Sequence, residues 1–206
     1  MPLEVREMSR TVASNAPIPW RVYPGGHLGR FPVGHRPGRA SVSNDPVWAL
    51  SSTPDGTLWA STESRTVQYV DGHWHRSEAP PMRFGFVSFA WYRDLLWAGG
   101  SLLAIYDQDR WRPVEGVNLE GISCLAVDKT NFLWVGTQAS GLWRTTDGHY
   151  WEQVPLPSRG LSISTLCADE EGTLWVAESG RRPAIKPIYQ WCNAQWEILP
   201  LPSKSQ

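Results

Sequence analysis

Charge is scarce in this 206-residue chain: Asp, Glu, Lys and Arg make up 19% of it and the formal net charge is −1. Ordinary soluble domains carry about a quarter charged residues. No field of one sign therefore recruits nucleic acid or an anionic membrane. No apolar run reaches the length of a transmembrane helix. The opening MPLEVREMSR lacks the apolar stretch of a secretory signal. Cysteines number three, Cys124, Cys167 and Cys192, an odd count without metal-ligand spacing. Cys124 and Cys167 lie in apolar runs and read as buried, reduced thiols, from which a cytoplasmic location is expected. No P-loop, dinucleotide fingerprint or G-x-S-x-G elbow occurs, so no cofactor is expected.

What is abundant is tryptophan, 13 residues, and it is periodic. Leu-Trp followed by Ala or Val recurs at Trp59, Trp97, Trp134 and Trp175, at spacings of 38, 37 and 41 residues. A second tryptophan trails each one: Trp74, Trp111, Trp151 and Trp196. Each unit opens with an apolar alternating run, a polar turn and the Leu-Trp run, as in ISCLAVDKTNFLWVGT, which reads as a β-hairpin. The second half repeats too: LWRTTDGHYWEQVPLP and its counterparts are a strand, a tight turn such as Asp71-Gly72 or Asp147-Gly148, and a strand near the second Trp.

Four short strands in about 40 residues match a propeller blade. One such sheet cannot hide both apolar faces, whereas blades stacked face to face can. Trp59, Trp97, Trp134 and Trp175 are the natural filler between blades, each bringing about 200 Å² of surface. The fold class is thus all-β: a β-propeller of four-stranded blades with four repeats, four-bladed or half of a larger ring. The expected organisation is an N-terminal strand and basic Gly/Pro-rich arm over 1–46, then a propeller over 47–206. Its blades fall at about 47–80, 84–118, 121–157 and 161–202.

The unit Ile122 to Thr137 with Gly141-Leu142-Trp143-Arg144, and its partner Ile163 to Val176, resemble the two-component regulator propeller repeat. In that family such repeats build the sensor propellers of bacterial hybrid histidine kinases, where they bind a ligand and signal onward. The resemblance covers 47–199 and implies a propeller with a binding role. The kinase role does not carry over, because the sequence shows neither a membrane span nor a kinase. Thr145-Thr146-Asp147-Gly148-His149-Tyr150-Trp151 also looks like the Asp-box of sialidases and assembly-factor propellers, one residue short. In those folds the box is a structural turn.

Ring closure has three solutions: a four-bladed ring, two chains pairing into eight blades, or an open end docked on another protein. A compact four-bladed body is the favoured expectation. Residues 24–46 form a long Gly/Pro-rich connection, and Arg30, Arg36 and Arg39 lie in it without an acid until Asp45. The arm reads either as a grip on an acidic partner or as a linker with solvated charges.

The loops joining outer to next inner strand, and second to third strand, share one face of a propeller. Here they carry Glu63, Ser64 and Arg65, Arg83, Gln138, Arg159, Glu178, and the insertion with Arg181 and Arg182. Arginine's planar fork suits carboxylate or phosphate recognition, so these arginines are the candidate partner or ligand contacts. His73 and His75 share a strand face, but no third ligand is indicated and no metal is expected. The expected function is a non-enzymatic interaction or sensing subunit that binds a protein partner, or self-associates, through a loop face or an open blade edge. The alternative is a small-ligand or glycan-binding propeller, and behind it a divergent hydrolase. Neither nucleic acid nor membrane is an expected partner.

Overall fold

A computed structural model describes residues 46–77, 85–179 and 187–200. The chain divides into the units Met1–Val42 and Ser43–Gln206, and every described residue belongs to the second. Arg30, Arg36, Arg39, Arg83, Arg181 and Arg182 lie outside the described residues.

Each repeat forms one antiparallel sheet whose strands neighbour in chain order. The first sheet holds β1 (Val47–Ser52), β2 (Leu58–Thr62), β3 (Thr66–Val70) and β4 (His73–Arg76). The second holds β5 (Ser88–Tyr92), β6 (Leu95–Gly99), β7 (Leu103–Asp107) and β8 (Arg110–Pro113). The third holds β9 (Ile122–Val127), β10 (Leu133–Thr137), β11 (Leu142–Thr145) and β12 (Glu152–Val154). The fourth holds β13 (Ile163–Ala168), β14 (Leu174–Glu178), β15 (Ile188–Cys192) and β16 (Gln195–Leu199). This is the blade architecture of a β-propeller.

The polar turns between inner strands do a second job: they hold the repeated tryptophan. Asp128 Oδ1 accepts from the backbone N–H groups of Thr130 and Phe132 at 2.9 and 3.0 Å, closing the β9–β10 turn. Its Oδ2 accepts from the indole Nε1–H of Trp134 at 2.7 Å. Asp169 repeats the device, taking Thr173 N–H at 2.7 Å and Trp175 Nε1–H at 2.9 Å. In the second sheet the turn is the tighter Arg93-Asp94 pair, both with left-handed backbone at φ 50° and 60°. There Trp97 Nε1–H donates instead to the Tyr92 carbonyl at 3.1 Å.

Because strand side chains alternate, the paired rows place each repeated Trp on the face turned toward the following sheet. Trp59 meets Tyr106 and Trp111 of the second sheet edge-on at 4.6 and 5.7 Å. Trp97 packs in one cluster with Ile122, Leu125, Leu133 and Val135 of the third sheet. Trp134, fully buried, packs with Ile163, Leu166, Leu174, Val176 and Tyr189 of the fourth. Three apolar clusters thus fill the joints 1–2, 2–3 and 3–4. The inner strands touch in the same order, β1 on β5, β5 on β9 and β9 on β13, and among the described residues no contact of that extent joins the fourth sheet to the first.

The joints are tight enough to need glycine. A side chain at Gly136 would bring its Cβ within 2.5 Å of Cys124 Sγ and 2.7 Å of Ile163 Cγ2. Gly99 stands in the same relation to Ile122. The first residue of one inner strand therefore plugs a gap left by glycine on the second strand of the preceding sheet.

One burial expectation fails. Cys124 is buried in the 3–4 joint, and burial pushes its thiol up to about 11. Cys167 is exposed, as is Cys192. Cys167 shares the Trp175 row of the fourth sheet, so it occupies a joint-type position on a face with no described fifth sheet behind it.

Candidate functional site

A cleft of about 590 Å³ opens between the third and fourth sheets, lined by Ser123, Gln138, Ser162, Ile163, Ser164 and Ser179. Two β-bulges build it. In the ladder of β9 with β10, Ile122 pairs with Thr137 and Cys124 with Gly136, so Ser123 is the extra residue. In β13 the extra residue is Ser164, between Ile163 and Thr165. A bulge re-aims the side chain it inserts. Ser123 Oγ–H has carbonyl acceptors at Gly136 (3.0 Å) and at Ile163 across the joint (2.7 Å). Ser164 Oγ–H donates to Ala177 O at 3.1 Å. The first sheet has the same bulge, filled by Trp48.

The walls are fixed by loop-to-loop backbone bonds. Gln138 N–H donates to Gly121 O at 2.8 Å, Gly141 N–H to Leu161 O at 2.8 Å, and Ser179 N–H to Ser162 O at 2.8 Å. Beside the cleft, at the end of β14, the Glu178 carboxylate is buried. It accepts from Ser158 Oγ–H and from Tyr189 O–H, each at 2.8 Å. Burial raises the Tyr189 phenol above its ordinary value, and the Glu178 charge adds to this, so the hydroxyl stays a donor. The cleft thus offers hydroxyls, one primary amide and backbone groups, with none among its six lining residues that ionises near neutrality.

The loop-face residues expected from sequence come together in part. Gln138 lines the cleft. Arg159 is exposed on the loop below Glu178, with left-handed backbone at φ 57°. Arg65 belongs to the β2–β3 turn of the first sheet, where its carbonyl accepts from Thr62 N–H at 2.8 Å and its Nε–H donates to Ser64 Oγ at 3.2 Å. It is two joints away from the cleft. His73 and His75 are exposed on β4, and among the described residues no three His, Cys, Asp or Glu side chains converge. The bulge serines were missed; their one sequence signal is the Ile-Ser that opens both units, Ile122-Ser123 and Ile163-Ser164.

The Asp147 turn is structural. Asp147 Oδ1 accepts from His149 N–H and Tyr150 N–H, both at 2.8 Å, and these bonds hold its carboxyl below the usual range. Gly148 is left-handed, and a Cβ there would come within 2.9 Å of the Trp97 ring. The turn anchors the second joint rather than lining a site.

No family model and no curated protein matches the chain. Solved structures do. The extracellular domain of a hybrid two-component system protein from Bacteroides thetaiotaomicron matches with a TM-score of 0.65 at 14% identity, over 80% of this chain and 23% of that one. Virginiamycin B lyase from Staphylococcus aureus matches with a TM-score of 0.62 at 16% identity, over 80% of this chain and 58% of that one. The computationally designed Ika4 protein matches with a TM-score of 0.54 at 9% identity, over 77% of this chain and 98% of that one. The chain therefore spans about a quarter to under two thirds of the first two.

These likenesses show the fold alone, a β-propeller. The same fold serves an extracellular two-component domain and a lyase, so fold alone assigns no activity. The expected cytoplasmic location does not stand: propellers with this fold include extracellular domains of two-component proteins. The thiol argument behind that expectation also loses its basis. Cys167 is exposed, and burial alone accounts for the free thiol of Cys124.

Proposed function

We propose that this chain is a sensing and interaction module of the β-propeller class, acting outside the cytoplasm and binding through the loop face of its third and fourth sheets. The observation that carries this is the serine-lined cleft, where two bulges turn Ser123 and Ser164 out of the strand ladder. Hydroxyl acceptors fixed on the strands, with Gln138, Ser162 and Ser179 beside the strand ends, suit an uncharged hydrogen-bonding segment such as the backbone of a protein partner's loop. The cleft's volume favours a second reading, a small polar ligand, since sites for such molecules span about 300–1,000 Å³. The likeness to a lyase raises the question of chemistry. A lyase needs a group that removes a proton, and hydroxyls and an amide are poor bases, so the lining favours binding.

The test fills the cleft without touching the joint. Gln138→Trp and Ser179→Trp change exposed residues on its rim. The 206-residue chain is titrated with neutral oligosaccharides and with peptides by calorimetry. Whichever binds should lose at least tenfold in affinity in either variant and little in Arg159→Ala. Binding that is unchanged by both tryptophans would place the site elsewhere.

A further inference from the structure

The described sheet stack ends in two faces, one on the first sheet and one on the fourth. At every internal joint, the Trp-bearing face of one sheet meets the opposite face of the next. The fourth sheet presents such a Trp-bearing face. Its paired rows place Trp175, Ala177, Ile188 and Leu199 where the third sheet has Trp134, Gly136, Leu142 and Val154. The third sheet's set is buried, whereas Trp175, Ala177, Ile188 and Leu199 are all half-buried.

The first sheet presents the receiving face. Leu50, Ala60 and Val67 form one cross-strand row, and Leu58, Tyr69 and Trp74 the next. Leu50 is 36% and Tyr69 39% exposed, Leu58, Val67 and Trp74 are half-buried, and Ala60 beneath them is buried. Contiguous apolar surface of this kind marks an interaction site.

The identity of the occupant comes from the correspondence of the two end faces with the internal joints and from their charges. At the 2–3 and 3–4 joints a glycine receives an isoleucine: Gly99 with Ile122, and Gly136 with Ile163. At the chain's two ends the corresponding residues are Ala177 and Val47. A small residue thus again faces a β-branched one, and the Ala177 methyl asks for a joint slightly wider than the internal ones. The charges match as well, since exposed Glu197 lies on the fourth sheet's outer strand in the Trp175 row, and exposed Arg76 on the first sheet's outer strand in the Leu50 row. A face fitted to the other end of its own chain calls for a second copy.

We propose that the fourth sheet of one chain docks on the first sheet of a second copy, and reciprocally, so that two four-sheet bodies form one eight-bladed ring. This continues the internal joints with the same polarity. A head-to-tail contact of this kind either closes or grows into filaments, and a two-fold axis relating the chains closes it.

The experiment uses the full chain in sedimentation velocity and native mass spectrometry, with far-UV circular dichroism to confirm folding. The wild type should be a dimer of twice 23.2 kDa. Leu50→Arg and Ala177→Arg each spoil one half of both joints, and each variant alone should be monomeric. A head-to-tail joint makes a further demand. In an equimolar mixture of the two variants, the intact fourth sheet of the Leu50→Arg chain meets the intact first sheet of the Ala177→Arg chain. Dimers should reappear in the mixture with one joint each. A monomeric wild type, a dimer that survives either folded variant, or a mixture that stays monomeric overturns the proposal.

Discussion

Trp134 and Trp175 stand at the same place in successive sheets, and each indole is held by the aspartate six residues before it, at 2.7 and 2.9 Å. Trp134 is fully buried, whereas Trp175 is only half-buried. The difference lies wholly in the neighbouring sheet: the fourth covers Trp134, and no described sheet comes after the fourth to cover Trp175. Each repeat therefore encodes two surfaces rather than a core, and the core appears only where sheets stack. That is the energetic logic of repeat proteins, in which interface terms between neighbours carry the stability.

The largest expected effect breaks this pair apart. Trp134→Ala should cost about 3–5 kcal/mol, the range for deleting a large aromatic from a packed core. Trp175→Ala should cost less than half of that in dilute solution, where the half-buried ring loses fewer contacts. Urea unfolding at low protein concentration measures both. If the second sheet-end joint forms at higher concentration, the two costs should converge there. Equal costs at every concentration would mean that Trp175 is already covered.

The next effect sharpens the comparison between Gly136 and Ala177. Gly136→Ala forces a methyl into Cys124 and Ile163 and should cost about 1–3 kcal/mol, as overpacked cores do. Adding Cys124→Ala to it should recover part of that loss, because Cys124 Sγ is the atom nearest the added methyl. Chemical denaturation of the two single variants and the double closes the cycle. A strictly additive cycle would show that the volumes do not compensate.

The repeat, its two hairpins and the Trp spacing were legible because alternation and turn residues are local signals. The Asp-x-x-x-x-x-Trp clip was half legible: a polar turn before each Leu-Trp could be read, but not the indole bond from Trp134 or Trp175 across it. The bulges were not. Ser123 and Ser164 read as ordinary polar positions in an alternating strand, and only the ladder shows that each is an extra residue. Cys167 misled for the opposite reason. Its apolar neighbours mark it as facing a joint, and nothing local tells whether a further sheet lies there. The loop arginines came from loop position and guanidinium chemistry, which say where a side chain is presented and not which groups converge.

The smallest effect tests the clip where no described neighbouring sheet supports it. The indole of Trp175 and the backbone N–H of Thr173 hold the Asp169 carboxyl below the usual carboxylate range. A depressed folded-state value makes a sign-definite demand. The clip's stabilisation is complete above the unfolded value of about 3.9, and it is lost as pH falls through the lower folded value. The Nε1–H resonance of Trp175, assigned by comparison with Trp175→Phe, should therefore hold its position from neutral pH down through the ordinary carboxylate range. It should move only below it. In Asp169→Asn that titration should vanish, and at neutral pH the Trp134 resonance should keep its wild-type position. A Trp175 resonance that moves at or above the ordinary carboxylate value would mean that the ring is not clipped in solution. The open face would then lack the pre-set tryptophan on which a docked sheet relies.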